Sequence, residues 1–500
     1  SGNVGNDVNI LLAATDSNIP IQPEGNTQQL QEFDKVFIQV SKNQNKVIAG
    51  DYQLMPPKSY FMNFYKKAQG IQLSTVQNIQ HKNKQLGNRG VFESSLSAAI
   101  SRGKFSRNII QGEEGNQGPY RLTGAENEQF IIILSGTERV YIDGRLMTRG
   151  QENDYIIDYN TAEITFTAKR LITKDKRIIV EFQYSDQNYT RSLMHFGSDY
   201  EEGKVNLHLH VYSEQDNKNQ PLNQELSEAQ QKLLSDVGDT LSLAISPSFD
   251  TVPFSSSEVL YKRVDSIIGA NTYSVLVYST SSDSAIYRAS FSDVGLGNGN
   301  YVQALTSANG KVFQWIAPDP ITNSPQGNYE PVVQLISPKQ KQLITTGVDV
   351  ALSQRTNLSV EGAISNNDLN TFSNRDAADD VGFGFKMKLD NSKVLANDTL
   401  GDKWKVNSNV NYEYVQKNFS FIERYRSVEF ERDWNRASPA INTDQHILAG
   451  GVSLIRNTQF NAGYTYQTFL EGSSYNGNKH MSAISYNNNN FIANYDGSFM

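Results

Sequence analysis

Apolar and polar side chains alternate with a period of two through residues 343–364. Such alternation is typical of a β-strand whose two faces meet different surroundings. The polar turn Ser353-Gln354-Arg355 interrupts the pattern once, which predicts two strands joined as a hairpin. One predicted face carries Thr346, Val348, Val350, Leu352, Leu358, Val360, Gly362 and Ile364, and the other carries Asp349, Ser353, Asn357, Ser359 and Glu361.

The same alternation recurs along much of the chain. It is present at residues 36–40, 191–212, 383–389, 404–414, 448–454 and 460–466. Long strands that follow one another through polar loops favour an up-and-down antiparallel sheet. We therefore predict a mainly β chain with an up-and-down, barrel-like antiparallel framework.

Two regions interrupt this framework. Residues 118–186 hold short, closely spaced strand patterns and the hairpin signal Asp143-Gly144. Residues 244–338 are rich in β patterns, loops and aromatic side chains. Both patterns predict inserted soluble modules of the β-sandwich type.

The predicted organisation has six parts. A short helix is expected at 227–236, because Ser227 can cap its first turn and Gly238 follows its end. The parts are an extended lead-in at 1–32, framework at 33–117, the first module at 118–186, framework with the helix at 187–243, the second module at 244–338, and framework at 339–500.

The first residue is not Met and the last ten residues have the pattern of a strand, so we expect an excerpt of a longer protein.

The amino-acid composition limits the classes of function that the protein can have. The formal charge is 45 − 53 = −8, which gives no overall cationic field for nucleic acid. Tyr (25), Phe (24) and Gly (35) are plentiful, as in strands with one wet face and aromatic girdles. The absence of cysteine excludes disulfides and thiol chemistry and fits an oxidising compartment. The sequence has no apolar run of about eighteen residues, so no membrane helix is predicted, whereas a closed β-barrel fits the alternation.

The aromatic stretch 60–65 allows two interpretations. Its side chains could lie at a membrane interface, where aromatic residues are enriched. They could equally pack against the edge of a soluble sheet.

Two sets of residues are candidate metal ligands. His208 and His210 lie two apart on one strand face, a spacing that can chelate a metal with a third ligand from a neighbouring strand. A polar strand face in contact with water explains the same pair. The loop after residue 365 concentrates oxygen ligands suited to calcium, among them Asp368, Asp376, Asp379 and Asp380. A solvated loop explains these residues as well, and we expect no cofactor.

No motif supports catalysis. Residues 295–300 are glycine-rich but lack the lysine and the following helix of a phosphate loop, so a flexible turn is expected. The mixed-charge segment 423–436 contains paired carboxylates that could serve a glycosidase. Opposite charges across a barrel lumen, or a protein-docking surface, account for it more simply. The sequence has neither a Gly-x-Ser-x-Gly elbow nor a His-Glu-x-x-His motif, so we predict that the protein is not an enzyme.

Six strings of the sequence are familiar when taken together. They are Gly118-Pro119-Tyr120-Arg121-Leu122, 136–144, Asp154-Tyr155-Ile156-Ile157-Asp158-Tyr159, Phe291-Ser292-Asp293-Val294-Gly295, Asn370-Thr371-Phe372-Ser373 and Arg424-Tyr425-Arg426. Together they resemble large outer-membrane β-barrel proteins of Bacteroidota. Within that group they are similar to the plug components of type IX secretion translocons, which occlude the periplasmic mouth of a very large transport barrel.

This resemblance implies a location in the outer membrane or at its periplasmic face. It also implies contact with lipid and with a protein partner, namely a large translocon barrel that the chain would seal or shape. The partner-binding residues expected from the matching strings are Arg139, Tyr141, Asp143, Tyr155, Arg424, Tyr425 and Arg426. Two alternatives stand beside it: an independent channel lined by Lys, Asn and Glu, and a soluble surface-binding protein whose aromatic side chains stack on sugars.

Overall fold

A computed structural model describes residues 2–4, 7–15, 35–79, 90–101, 103–125, 128, 131–185, 188–222, 226–269, 271–304, 310–397, 403–436, 443–457, 459–488 and 491–499. The chain divides into two compact units. The first unit consists of Ser1–Gln224, Pro338–Leu369 and Ala377–Met500, and the second of Glu225–Ser337 and Asn370–Asp376. The part of the predicted lead-in that follows Thr15 lies outside the described residues.

Strands dominate the described part of the chain. The first sixteen are β1 Gly2–Val4, β2 Val8–Thr15, β3 Lys35–Lys42, β4 Asn45–Leu54, β5 Lys66–Ile79, β6 Gly90–Ser101, β7 Lys104–Gln111, β8 Tyr120–Arg121, β9 Ile132–Ile133, β10 Arg139–Ile142, β11 Arg145–Leu146, β12 Tyr155–Asp158, β13 Glu163–Phe166, β14 Arg177–Ser185, β15 Tyr189–Glu202 and β16 Val205–Pro221.

The remaining strands belong to the second unit and to the last part of the first. They are β17 Ile245–Pro247, β18 Phe249–Thr251, β19 Tyr261–Ile268, β20 Asn271–Tyr278, β21 Tyr287–Ala289, β22 Ser292–Asp293, β23 Tyr301–Ala304, β24 Val312–Trp315, β25 Tyr329–Glu330, β26 Val332–Gln334, β27 Gln340–Ser353, β28 Thr356–Asp368, β29 Val381–Asn397, β30 Lys403–Val415, β31 Gln445–Arg456, β32 Phe460–Glu471, β33 Tyr475–Asn488 and β34 Phe491–Phe499. The helices are α1 Glu228–Val237, α2 Phe430–Asp433 and a 3₁₀ turn, Leu241–Leu243. Among the described residues, none of these helices has the length and apolar character needed to cross a membrane.

The first unit is built on one antiparallel sheet. Its strand order is β1-β2-β3-β4-β5-β6-β15-β16-β27-β28-β29-β30-β31-β32-β33-β34, so sheet neighbours follow one another along the chain except at two insertions. The predicted hairpin is present as β27 and β28, with Val348 opposite Val360. The mainly β, up-and-down framework is thus confirmed. In the described residues β1 and β34 do not pair with each other, so the sheet is open and not closed into a barrel.

The predicted lead-in at 1–32 is in part framework. β2 pairs with β3 along its whole length, with Ile10 opposite Val40. The Asn-rich sequence around this strand concealed it, because only Ile10-Leu11-Leu12 is strongly apolar there.

The first inserted module contains β7 to β14, so it begins at Lys104 and not at Gly118. β7 pairs with β14, which follows about 70 residues later, with Ile109 opposite Ile179. Local alternation cannot show such a distant partner, which is why this strand was assigned to the framework. The Asp143-Gly144 turn is confirmed between β10 and β11, with φ of 49° and 78°.

The module has its own core, in which Ile133, Val140, Ile164 and Val180 are completely buried. Two small sheets, β11-β10-β14-β7 and β12-β13-β8, enclose it. The module is inserted between β6 and β15, which pair directly, with Ser101 opposite Arg191. The framework sheet therefore continues past the insertion without a break.

The second unit begins with the predicted helix, which is confirmed as α1. Ser227 Oγ accepts a hydrogen bond from the Gln230 backbone amide, and Gln230 Oε1 accepts one from the Ser227 backbone amide, which completes a capping box. Two four-stranded sheets, β18-β21-β19-β20 and β22-β25-β23-β24, pack around Tyr261, Leu276, Tyr301 and Phe313. The unit starts at Glu225 and not at Ala244, because Leu234 of α1 packs with Ala244 and Leu335 in a second buried cluster of the unit.

Candidate functional site

The framework sheet presents one continuous apolar row on its outer side. Each strand from β2 to β6, then β15, β16, β27, β28 and β29, contributes one residue in register. The row is Ile10, Val40, Val47, Leu73, Leu96, Phe196, Val211, Ile344, Ile364 and Phe383. We call it the outer row.

Much of the outer row is exposed. Ile344, Ile364 and Phe383 are 42%, 45% and 47% exposed, respectively. Scattered exposed apolar side chains are ordinary, but a register-continuous row of them forms a patch that usually marks an interaction surface.

The opposite side of the same strands, the inner face, buries polar side chains beside apolar ones such as Leu343. Thr345, Glu361 and Ser365 are 0%, 6% and 0% exposed. These residues alternate in sequence with Ile344 and Ile364 of the outer row, so exposed apolar side chains here alternate with buried polar ones. A water-soluble sheet buries its apolar face and exposes its polar one. The framework is therefore inverted: it exposes apolar side chains on one side and buries polar side chains on the other.

Two segments of the chain itself cover the inner face. The first, residues 55–65, connects β4 to β5 and is called inner segment 1. Its Phe61, Met62 and Phe64 are completely buried, in one cluster with Tyr212 and Leu343 of the sheet. The membrane-interface interpretation of these aromatic residues was therefore wrong, because they pack inside the first unit.

Glu361 of β28 holds inner segment 1 in place. Its carboxylate accepts hydrogen bonds from Ser59 Oγ at 2.7 Å, the Tyr60 amide at 2.8 Å and the Phe61 amide at 3.0 Å. A buried carboxylate with three donors is well satisfied, and hydrogen bonds to a charged acceptor are stronger than neutral ones. The polar inner face thus binds the chain's own backbone.

Tyr60 extends this contact to the next strands. Its hydroxyl donates to Glu413 Oε2 of β30 at 2.6 Å. Burial, followed by the charge of Glu413, raises the pKa of the Tyr60 phenol, so the hydroxyl remains a donor. The Lys386 ammonium lies over the same ring at 2.9 Å from its centroid.

Inner segment 2, residues 416–436, follows β30 in the connection to β31 and packs on inner segment 1. Asn63 Nδ2 donates to the Arg424 carbonyl at 2.5 Å, and the Glu423 amide donates to the Asn63 carbonyl at 3.1 Å. The rings of Tyr60 and Tyr425 meet edge to face at 5.3 Å. The two segments form one layer on the inner face.

The first module is docked on this layer through charged groups. Glu181 of β14 binds the Arg424 guanidinium through two hydrogen bonds, and Arg107 lies 3.6 Å from the same carboxylate. Arg107 Nη2 also donates to the Val428 carbonyl at 2.7 Å. Gln183 donates to the carbonyl of Tyr65, at the end of inner segment 1.

The seven residues expected to bind a partner lie inside this assembly. Arg424 pairs with Glu181 and stacks on Tyr141, Arg139 stacks on Tyr65, and Arg426 pairs with Glu413 at 2.7 Å. Asp143 binds Lys176 at 2.8 Å and Arg432 at 3.5 Å. Tyr155 belongs to the module core and Tyr425 to the cluster around inner segment 1. These charges are thus used between parts of one chain, and the expected role of these residues in binding a partner stays a prediction.

The candidate metal-binding residues and the glycine-rich residues 295–300 lie in different parts of the structure. His208 and His210 lie on the inner face of β16, next to Asp199 and Glu361. Asp368, Asp379 and Asp380 belong to the first unit, whereas Asp376 belongs to the second, where Asn370 binds the carbonyls of Leu234 and Gly238. The oxygen-rich loop is therefore divided between the two units. Residues 295–300 form a turn between β22 and β23, with Gly295 and Gly297 at positive φ.

Sequence reasoning missed Glu181 and Glu361. Glu361 was assigned to the polar side of its strand, which was correct, but nothing local indicates that this side is buried. Glu181 interrupts the apolar run of β14, where its neighbours Val180 and Phe182 are buried. A charged residue inside such a run was the available signal, because buried carboxylates require a partner.

One family model matches the chain, a domain of unknown function (DUF8818) over residues 105–186. The match coincides with the first module, β7 to β14, and leaves the framework and the second unit unmatched. No curated protein matches the sequence.

Proposed function

We propose that the protein is a non-catalytic component of an outer membrane that binds a large transport barrel and seals or shapes its channel, as an accessory of type IX secretion. The inverted framework carries this proposal: exposed apolar residues form the outer row while Glu361, Thr345 and Ser365 are buried behind them. A membrane β-protein presents its apolar face to lipid and keeps its polar face inside. The transport role rests on the sequence resemblance.

The free energy of apolar surface argues for a lipid contact. Apolar area removed from water stabilises by about 25 cal/mol per Å². The outer row crosses ten strands, so a large free energy of apolar burial is lost if the row faces water. Contact with lipid would provide this stabilisation. The buried polar side chains of the inner face need no lipid, because the two inner segments satisfy them.

The inner segments favour sealing over conduction. They occupy the inner face from Glu361 to Glu413 and also hold the first module. A protein that fills its own polar face is suited to block or shape a passage, and the modules then supply surface for a partner. A stable contact of this kind buries about 800 Å² per partner.

An independent channel is the second candidate. A polar cavity of about 390 Å³ lies on the inner side of β28 to β32, lined by Arg355, Asn357, Asp390, Asn407 and Asn409 among others. Polar side chains of this kind line aqueous lumens. Reconstitution in planar bilayers separates the two candidates, because a channel conducts and a sealing component is electrically silent.

The lipid contact can be tested by site-directed labelling, since the chain has no cysteine. We expect a fluorophore on Ile364→Cys to be quenched by nitroxide-labelled lipids in reconstituted vesicles and to be protected from aqueous iodide. Asn357→Cys is the matched control: it lies on the same strand, on the polar side, and is exposed. Its fluorophore should respond to iodide and not to the lipid quencher. Equal iodide quenching at both positions would remove the basis for a membrane location.

The partner contact can be tested by removing the first module. Because Ser101 and Arg191 are opposite each other, residues 102–188 can be replaced by a short Gly-Ser turn. Arg424→Met is added so that no buried charge is left without Glu181. We expect insertion into vesicles to persist and co-purification with a co-expressed type IX transport barrel to fall to background. Undiminished co-purification would show that the module does not provide the contact.

A further inference from the structure

The second unit presents three large apolar side chains to water on three of its loops. Ile267, Leu296 and Ile321 are 74%, 92% and 92% exposed, respectively. Ile267 lies beside the turn between β19 and β20, Leu296 in the β22–β23 connection at 294–300, and Ile321 in the β24–β25 connection at 316–328. Single exposed apolar residues are ordinary, so what matters is whether the three lie together.

Hydrogen bonds and ring contacts bring the three loops to one end of the unit. The Gly297 amide donates to the Gly327 carbonyl at 2.9 Å, which joins the two connections. Tyr273, next to the β19–β20 turn, donates from its hydroxyl to Asn323 Oδ1 at 2.7 Å. Its ring centroid is 6.2 Å from that of Trp315, the last residue of β24. We call this end of the second unit the apolar tip.

The turns of the apolar tip hold its side chains outward. Asp319 Oδ1 accepts hydrogen bonds from the Ile321 amide at 2.9 Å and the Thr322 amide at 2.8 Å. Leu296 lies between two glycines with φ of 93° and 77°, a conformation that other residues rarely adopt. The exposure of these side chains therefore follows from the local backbone structure of the turns.

Charge is scarce at the apolar tip. Residues 264–274, 294–300 and 316–328 contain no lysine or arginine, and their acidic residues are Asp265 and Asp319. The opposite end of the unit differs, because the connection that leaves β20 away from the turn reads Ser-Thr-Ser-Ser-Asp-Ser at 279–284. The apolar tip is thus suited to an apolar environment and has no cations with which to attract an anionic one.

Two aromatic side chains lie beneath the three exposed ones. Trp315 and Tyr273 are half-buried and pack on each other. Tryptophan and tyrosine are enriched where a membrane meets water, because one part of each ring system is apolar and the other carries a polar group. The order from outside to inside is therefore aliphatic side chains first and amphipathic rings second.

This arrangement fits a lipid surface better than a protein surface. A stable protein contact buries about 800 Å² per partner, which requires a continuous surface. Three side chains on separate loops provide projecting points, and fluid hydrocarbon can surround each of them. We propose that the apolar tip inserts into a lipid bilayer, with Ile267, Leu296 and Ile321 among the acyl chains and the two rings at the level of the headgroups.

This contact is separate from the one proposed for the outer row. Its residues belong to the second unit, whereas the framework sheet belongs to the first. The apolar tip would give the second unit its own attachment to the membrane. Because the loops carry no lysine or arginine, the lipid can be zwitterionic.

The proposal is tested on the full-length chain reconstituted in phosphatidylcholine vesicles, with single fluorophores on Leu296→Cys, Ile321→Cys and Ser282→Cys. Ser282 is the matched control, since it is exposed at the opposite end of the unit. We expect nitroxide-labelled lipid to quench the first two fluorophores and aqueous iodide to quench only the third. High salt should leave this result unchanged, because salt screens charge attraction and not apolar insertion.

Two outcomes would overturn the proposal. Equal iodide quenching at all three positions would place the apolar tip in water. Protection from iodide without quenching by lipid would show that protein covers it. The fluorophore on Ile364→Cys reports on the outer row independently, so lipid quenching there together with iodide quenching at Leu296→Cys would reject this inference and leave the proposed function intact.

Substitutions measure the contribution of each side chain. With the fluorophore on Ile267→Cys, Leu296→Ser and Ile321→Ser should each lower the equilibrium constant between its lipid-bound and water-exposed states about tenfold to hundredfold. Leu243→Ser is the control, because it removes a leucine that is 63% exposed outside the three loops. An equal effect of all three substitutions, or no effect of any, would contradict insertion through the apolar tip.

Discussion

Glu181→Ala is expected to lower the free energy of unfolding of the first unit by about 3–5 kcal/mol. This is the cost of leaving one partner of a buried ion pair without its counter-charge. Glu181 and Arg424 have side chains only 5% and 19% exposed, so water cannot replace the lost carboxylate. Arg107 would lose the same partner. The first module should then separate from inner segment 2 before the framework sheet unfolds.

Urea unfolding monitored by tryptophan fluorescence measures this effect, because Trp434 lies at the end of inner segment 2 and is 4% exposed. The control is Glu152→Ala, an exposed position in the same module, for which a change within about 0.5 kcal/mol is expected. The double variant Glu181→Leu/Arg424→Met should recover part of the loss, since apolar pairs often replace buried ion pairs without cost. A Glu181→Ala protein as stable as the Glu152→Ala control would show that the pair does not hold the module.

The framework strands could be predicted because the alternation that defines them lies within each short stretch of sequence. A period of two fixes which side chains share a face, and one slip of register would move every apolar residue to the other face. Val348 and Val360, assigned to one face from sequence, are opposite each other in the β27–β28 pair. The cap of α1 is local in the same way, since Ser227 and Gln230 are three residues apart.

The inner face could not be predicted, because its partners are distant in sequence. Glu361 meets Tyr60 across 301 residues, and Arg424 meets Glu181 across 243. The sequence around residues 60–65 shows only that the segment is aromatic, a property shared by membrane interfaces and buried cores. The mixed-charge segment likewise indicated ion pairs without indicating that their partners lie in the same chain.

The lipid-facing and water-facing interpretations of the outer row differ most in the effect they predict for a charged substitution in that row. Ile344→Arg and Ile364→Arg each place a guanidinium in the outer row. If this row faces lipid, each charge should lower the stability of the inserted protein by about 2–4 kcal/mol at the bilayer midplane. The double variant should then fail to insert and fold in vesicles. If the row faces water, both positions are almost half exposed and should accept arginine within about 0.5 kcal/mol.

The measurement is the folded fraction recovered in lipid vesicles, together with urea unfolding of the inserted protein. Leu171→Arg is the matched control, because Leu171 is 68% exposed on the first module and the same apolar-to-arginine change there should have little effect. Full recovery of the Ile344→Arg/Ile364→Arg protein, equal to that of Leu171→Arg, would mean that the outer row does not contact lipid.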